Sequence, residues 1–146
     1  MSTRADAVRV ARSYIGTPFH HMGRRPGVGL DCAGLLVCVA RELKLVAPDF
    51  DTPAYAPTPD GTSMFKWCAQ YMTPLGGAFM GPGDVVLLIT DESPQHLGLL
   101  GDYPYGGLSI IHAAALARPP RVIETRLMFS KVQRLVSAYS LPGILP

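Results

Sequence analysis

An α+β fold is predicted by three features of the chain: two amphipathic helical patterns before residue 46, a third ending before Pro74, and then a succession of short Val-, Ile- and Leu-rich segments. Helices first, then strands with hairpin-length connections, describe helices packed on a mainly antiparallel sheet of about five strands. With 146 residues, 48% of them hydrophobic, the chain is read as one domain, residues 1–146, with enough apolar material for a core.

Thr3 is placed to cap a first helix running to about Tyr14, with Ala7, Val10, Ala11 and Tyr14 on one face and Gly16 ending it. The next segment, GTPFHHMGRRPGVGL from Gly16 to Leu30, carries too many glycines and prolines for a long regular element. It reads as a loop delivering the chain to Asp31. A second helix is expected from about Cys32 to Leu45, with Leu35, Leu36, Val39 and Leu43 on a common face. Pro48 to Asp60 has prolines at 48, 53, 57 and 59 and should wrap the surface.

A third helix starts near Thr62, with Met64, Phe65, Cys68, Tyr71 and Met72 as its apolar side and Cys68 assigned to the core. The strands follow as GPGDVVLLIT, QHLGLLGD, LSIIHAAA and RVIETRL, bounded by Pro, Gly, Asp and Ser turn signals. LVSAYSL, near residues 135 to 141, supplies a final one.

Charge and composition exclude several classes. The formal net charge is +2, from 13 basic and 11 acidic residues without long runs, so neither a nucleic-acid footprint nor a membrane-binding patch is expected. The N-terminal MSTRADAVRVARSYIG has no uninterrupted apolar stretch, so no signal peptide is expected and synthesis in the cytoplasm is. Three cysteines in a chain of this size do not make a disulfide framework.

The chemistry centres on VGLDCAGLLVCV, residues 28–39. If Asp31 caps the helix, Cys32 lies in its first turn, where unpaired N–H groups and the helix dipole favour a thiolate. Alone, the same helix reads first as an ordinary amphipathic helix opening on an inert buried cysteine. His96 and His112 add company. They are 16 residues apart, which suits an antiparallel hairpin turning at Asp102 to Gly107, with both rings on one face. A thiol nucleophile needs a base, and the base needs a third group to fix its tautomer; Cys32, His96 and His112 supply those types. One cysteine and two histidines could also hold zinc, but the close paired spacing of metal ligands is missing, so no metal and no cofactor is expected.

GTPFHH, then GVGLDCAGLLVCVARELKL, GPGDVVLLI, QHLGLLGD and IIHA resemble, in that order, the NlpC-type papain-like cysteine peptidases that cleave peptidoglycan stem peptides. The similarity covers roughly residues 7 to 115, and the chain in particular resembles the compact forms encoded with phage tails and gene transfer agents. The resemblance implies a papain-like α+β core with Cys32 as nucleophile, His96 as general base and His112 as the group orienting it. It places Phe19, His20, Asp31 and Gln95 on the substrate side, and requires no cofactor and no metal. Phe19 stands where the family commonly has Tyr, so one hydroxyl of the family site is missing.

The function so implied is a peptidoglycan endopeptidase, carried on a phage-like tail and acting in the periplasm to aid DNA entry. Its partners would be the stem peptide and tail or hub proteins. The alternative is a tail-assembly or hub component that keeps the peptidase fold with little or no activity. Acyl transfer, or an amide outside peptidoglycan, would use the same nucleophile.

Overall fold

The computed structural model describes residues 1–57, 60–76, 79–90 and 93–146, without the side chains of 93–95. In chain order the elements are α1 (Arg4–Ser13), β1 (Arg24–Arg25), β2 (Gly29–Leu30), α2 (Cys32–Glu42), α3 (Ser63–Tyr71), β3 (Thr73–Leu75), β4 (Val85–Thr90), β5 (Ser93–Asp102), β6 (Leu108–Ala114), β7 (Arg121–Arg126) and β8 (Gln133–Ser140).

The α+β architecture is as expected, with the main sheet one strand larger than the sequence indicated. It has six strands in the order β3-β8-β4-β5-β6-β7, every neighbouring pair antiparallel. The unexpected strand is β3, which holds Pro74. Proline cannot donate to a ladder, and β3 is an edge strand, where that loss is tolerated.

Thr3 caps α1 through a capping box with Asp6. Asp31 caps α2, its side chain accepting from the Gly34 N–H. α2 stops at Glu42, short of Leu45, because Lys44 turns into the left-handed region at φ 59°. Leu45 N–H then reaches the Ala40 carbonyl and Lys44 N–H that of Arg41, the two bonds of a Schellman ending. α3 buries Cys68, whereas Phe65 is exposed, so its apolar side is narrower than its sequence indicated.

Alternation along the strands divides the core in two. Val85, Leu87, Leu97, Leu99, Ile111 and Ala113 face α1 and α2, meeting Val10, Ala11, Leu35 and Val39. Val86, Leu88, Leu100, Ile110 and Ala138 fill a second cluster on the opposite face. Burial on both faces explains why β4 reads as the unbroken apolar run VVLLI rather than as an alternating strand.

Candidate active site

Cys32 is placed by the chain before it. Residues 18–30 run back along the sheet edge: Phe19 N–H bonds the Pro120 carbonyl, and His20 N–H and the Leu30 carbonyl pair at 3.0 Å. β1 and β2 then form a two-stranded hairpin that lies against the start of α2. Three glycines permit that approach. A Cβ on Gly34 would lie 2.0 Å from the Gly23 carbonyl oxygen, one on Gly23 would lie 2.5 Å from Gly29, and one on Gly29 would meet His20 Cβ at 2.8 Å. The glycine of DCAG is therefore a packing requirement.

Cys32 is half-buried at the wall of a cleft of about 580 Å³, a size suited to a small ligand or a peptide segment. His96, Asp31 and Phe19 line the same cleft, as do His21, Tyr55, Trp67, Thr90, Ala113 and Gln133. The β5–β6 ladder runs from Asp102↔Leu108 to Leu99↔Ile111. Beyond it, Leu97 comes next to the Cys32 sulfur, and the backbone N–H groups of Leu97, Ala33 and Cys32 favour its ionised form. The residue adjacent to Leu97 is His96. Its Nε2 lies 2.7 Å from Nδ1 of His112, the rings meeting edge to face at 4.7 Å between centroids. The two imidazoles, one from each of two adjacent antiparallel strands, therefore meet beyond the end of the ladder. The turn between them closes at Tyr103–Gly107, with Gly106 and Gly107 at positive φ. The expected hairpin and the shared face are both present.

The electrostatics differ from the thiolate expected at a helix start. Burial, and then the neighbouring Asp31 carboxylate, push the Cys32 thiol up to about 11 against the three N–H donors. Burial, and then His112, bring His96 down to about 3, and burial brings His112 down to about 4. The two groups on the cleft thus rest as a neutral thiol and a neutral imidazole, because their burial penalises both charges more than the helix end rewards one.

Two expected results follow. Unfolded histidines protonate near 6.5, the buried ones well below it, so the unfolded chain binds more protons between about pH 6.5 and 4. Stability therefore falls as pH drops through that window, by about 1.4 kcal/mol per pH unit for each histidine. Urea midpoints at pH 7, 6 and 5 should converge between wild type and a His96→Ala/His112→Ala variant; parallel lines would contradict the buried neutral pair. In the second, iodoacetamide labels Cys32 before the other thiols at pH 7, as followed by peptide mass mapping. Cys38 is buried with its thiol donating to the Arg24 carbonyl at 3.2 Å, and Cys68 is 1% exposed. Labelling of either one first would count against an accessible, base-assisted Cys32.

The substrate-side expectations fare unevenly. Phe19 lines the cleft with a ring and no hydroxyl. His20 does not line it: its Nδ1 faces the His21 carbonyl at 2.9 Å, its Cβ rests on Gly29, and His21 takes the cleft position instead. Adjacent residues in an extended loop diverge, which reverses the choice between them. Asp31 borders the cleft, and its oxygens accept from Gly34 N–H, Met22 N–H, Arg24 and the Tyr55 hydroxyl, so it is anchored within the fold. Gln95 falls outside the described side chains. Tyr55 and Trp67, absent from the sequence reading, reach the cleft from a proline-rich loop and from α3, positions with no local signal of a site. Among the described residues no group of three or more His, Cys, Asp or Glu side chains is placed to hold a metal. No described helix is long and apolar enough to cross a membrane.

Comparison with solved structures identifies the fold. The chain superposes on the NlpC/p60 domain of the peptidoglycan hydrolase SagA with a TM-score of 0.62 and 21% identity, over 95% of this chain and 99% of that one. An NlpC/p60 family protein from Bacillus cereus gives 0.66 at 14% identity, over 97% of this chain and 41% of that one. An N-acetylmuramoyl-L-alanine amidase from Bacteroides uniformis gives 0.58 at 12% identity, over 94% and 98%. The fold is the NlpC/p60 fold, and this chain spans the whole of some of those proteins and less than half of others. No family model matches the sequence, and no curated protein matches it.

Proposed function

We propose that this chain is a cysteine peptidase that hydrolyses an amide bond in the stem peptide of peptidoglycan. The observation carrying the reading is the Cys32 sulfur held at a helix start beside Leu97, with His96 on the same cleft and bonded to His112. With His96 Nε2 engaged, Nδ1 is the atom that exchanges a proton with Cys32. Nε2–H donates to His112 Nδ1, so His112 fixes the tautomer that leaves Nδ1 able to accept.

As the substrate amide enters, the proton moves from Sγ to His96 Nδ1 and the sulfur attacks the carbonyl carbon. The Cys32 N–H at the helix start supports the developing oxyanion. Imidazolium then protonates the departing amine, leaving an acyl-enzyme that water, deprotonated by His96, hydrolyses. The structural neighbours, a peptidoglycan hydrolase and an N-acetylmuramoyl-L-alanine amidase, support the substrate class.

The chain is delivered on a phage-like tail, a placement supported by the sequence resemblance to the compact tail-encoded forms. Mass spectrometry of purified particles tests that placement, which falls if the chain is absent from them. The enzymatic reading is tested by incubating isolated peptidoglycan and soluble stem peptides with the protein and sequencing the new amines. Release of a free amine by wild type and not by Cys32→Ala supports it, and the sequenced ends identify the bond. No release by wild type, in particles that need the chain but not Cys32 for assembly, leaves the hub component as the function.

A further inference from the structure

Behind the nucleophile lies a second buried polar assembly. Arg24 of β1 has a side chain only 11% exposed, and each of its five N–H groups has an acceptor. Nε donates to Asp51 at 2.8 Å, Nη1 to the Gly23 carbonyl and to Asp31 at 3.0 Å, and Nη2 to Thr52 Oγ1 at 3.2 Å and the Tyr55 hydroxyl at 3.1 Å. These acceptors fall in two places. Asp31 caps α2, where Cys32 sits, and Gly23 packs against Gly34 in its first turn. Asp51, Thr52 and Tyr55 belong to a segment without helix or strand, whose residues 54–57 form a wall of the cleft. The Tyr55 hydroxyl closes the circuit by donating to Asp31, and its ring packs on Trp67 at 4.9 Å and His21 at 5.3 Å.

The geometry points to Arg24 as a positioning residue that, with Tyr55, holds the Asp31 carboxylate in a neutralised site beside Cys32 and fixes the residue 51–57 wall of the cleft. This rests on Cys32 being the nucleophile. Two physical needs meet at one guanidinium. The wall has no ladder or helix of its own, so its order must come from side chains, and Arg24 supplies three hydrogen bonds to it. The Asp31 charge next to Cys32 opposes thiol ionisation, and a cation at 3.0 Å from that carboxylate offsets it. Among the described residues, the other titratable groups on the cleft are His96 on β5, with His112 bonded to it on β6, and His21, Tyr55 and Asp60 on the loops, while Cys68 on α3 lies behind Cys32. Lysine could supply the charge but not a fork that reaches both places.

The test is the pH dependence of Cys32 alkylation by iodoacetamide on the full chain, read site by site by mass spectrometry, beside kcat and KM for stem-peptide cleavage. Arg24→Met should move the alkylation midpoint up by about one pH unit and raise KM about tenfold through a loosened wall. Tyr55→Phe should shift the midpoint the same way by less, and Arg24→Lys should recover part of the midpoint but not the KM. Adding Asp31→Asn to Arg24→Met should cancel the midpoint shift, because asparagine still caps the helix while the charge is gone. The inference is overturned if folded Arg24→Met, or Arg24→Lys where the former fails to fold by circular dichroism, keeps the wild-type midpoint and KM. Alkylation needs no peptidoglycan, so the two readings fail separately. Cleavage that survives Cys32→Ala sinks the peptidase, whereas unshifted Arg24 variants of an active, Cys32-dependent enzyme sink only the positioning role.

Discussion

Replacing Cys32 by alanine lowers kcat/KM for stem-peptide cleavage by about 10⁴-fold or more, since no other group can form the acyl intermediate. His96→Ala is expected to cost nearly as much. The thiol is held protonated near neutral pH by its burial and by Asp31, so attack depends on a base at the sulfur. The losses are not additive, because nucleophile and base act as one unit, and the double variant should be about as slow as either single one. His112→Ala costs less, about 10²-fold, because it removes the partner that sets the His96 tautomer and leaves the base in place. Initial rates on a soluble stem peptide, with circular dichroism to establish folding, measure all four. Substantial cleavage by folded Cys32→Ala would refute the mechanism, and equal losses for His112→Ala and Cys32→Ala would refute the division of roles.

The second large effect is on stability. Gly34→Ala inserts a Cβ 2.0 Å from the Gly23 carbonyl oxygen, a backbone atom held within the hairpin that Asp31 and Arg24 anchor. Alanine normally favours a helix over glycine by about 1 kcal/mol, which would make the substitution stabilising at an open site. Here the overlap has no flexible side chain to absorb it, so the hairpin must move off α2. A net loss of about 3 kcal/mol is expected, toward the upper end of overpacking costs. Activity should fall with it, since the displaced segment also carries Phe19 and His21 to the cleft. Urea unfolding of the variant measures the loss, and an unchanged or increased midpoint would show that the hairpin yields freely.

Much of this site could be read locally. The Asp31 cap, the cysteine after it and two histidines at hairpin spacing are short-range patterns, and each is found where it was expected. The sequence leaves open what depends on the direction of neighbouring residues or on long reach. His20 and His21 are chemically equivalent in the sequence, and only the backbone path along Pro18, Leu30 and Pro120 turns the second one into the cleft. The resemblance places Asp31 on the substrate side. Its oxygens prove to be taken by donors from residues 22, 24, 34 and 55, three of them outside its own helix.

The sequence by itself determined the order of elements, the caps of α1 and α2, and the types of residue available for chemistry, because hydrophobic period, capping and turn signals act over a few residues. The tertiary structure alone decided that the thiol and its base rest neutral, that Gly34 is a packing necessity, and that a proline-rich loop forms a wall of the cleft under the hold of Arg24. Desolvation, close backbone approach and a guanidinium joining residues up to 31 apart in the chain depend on what surrounds a group in space. No local pattern encodes those surroundings.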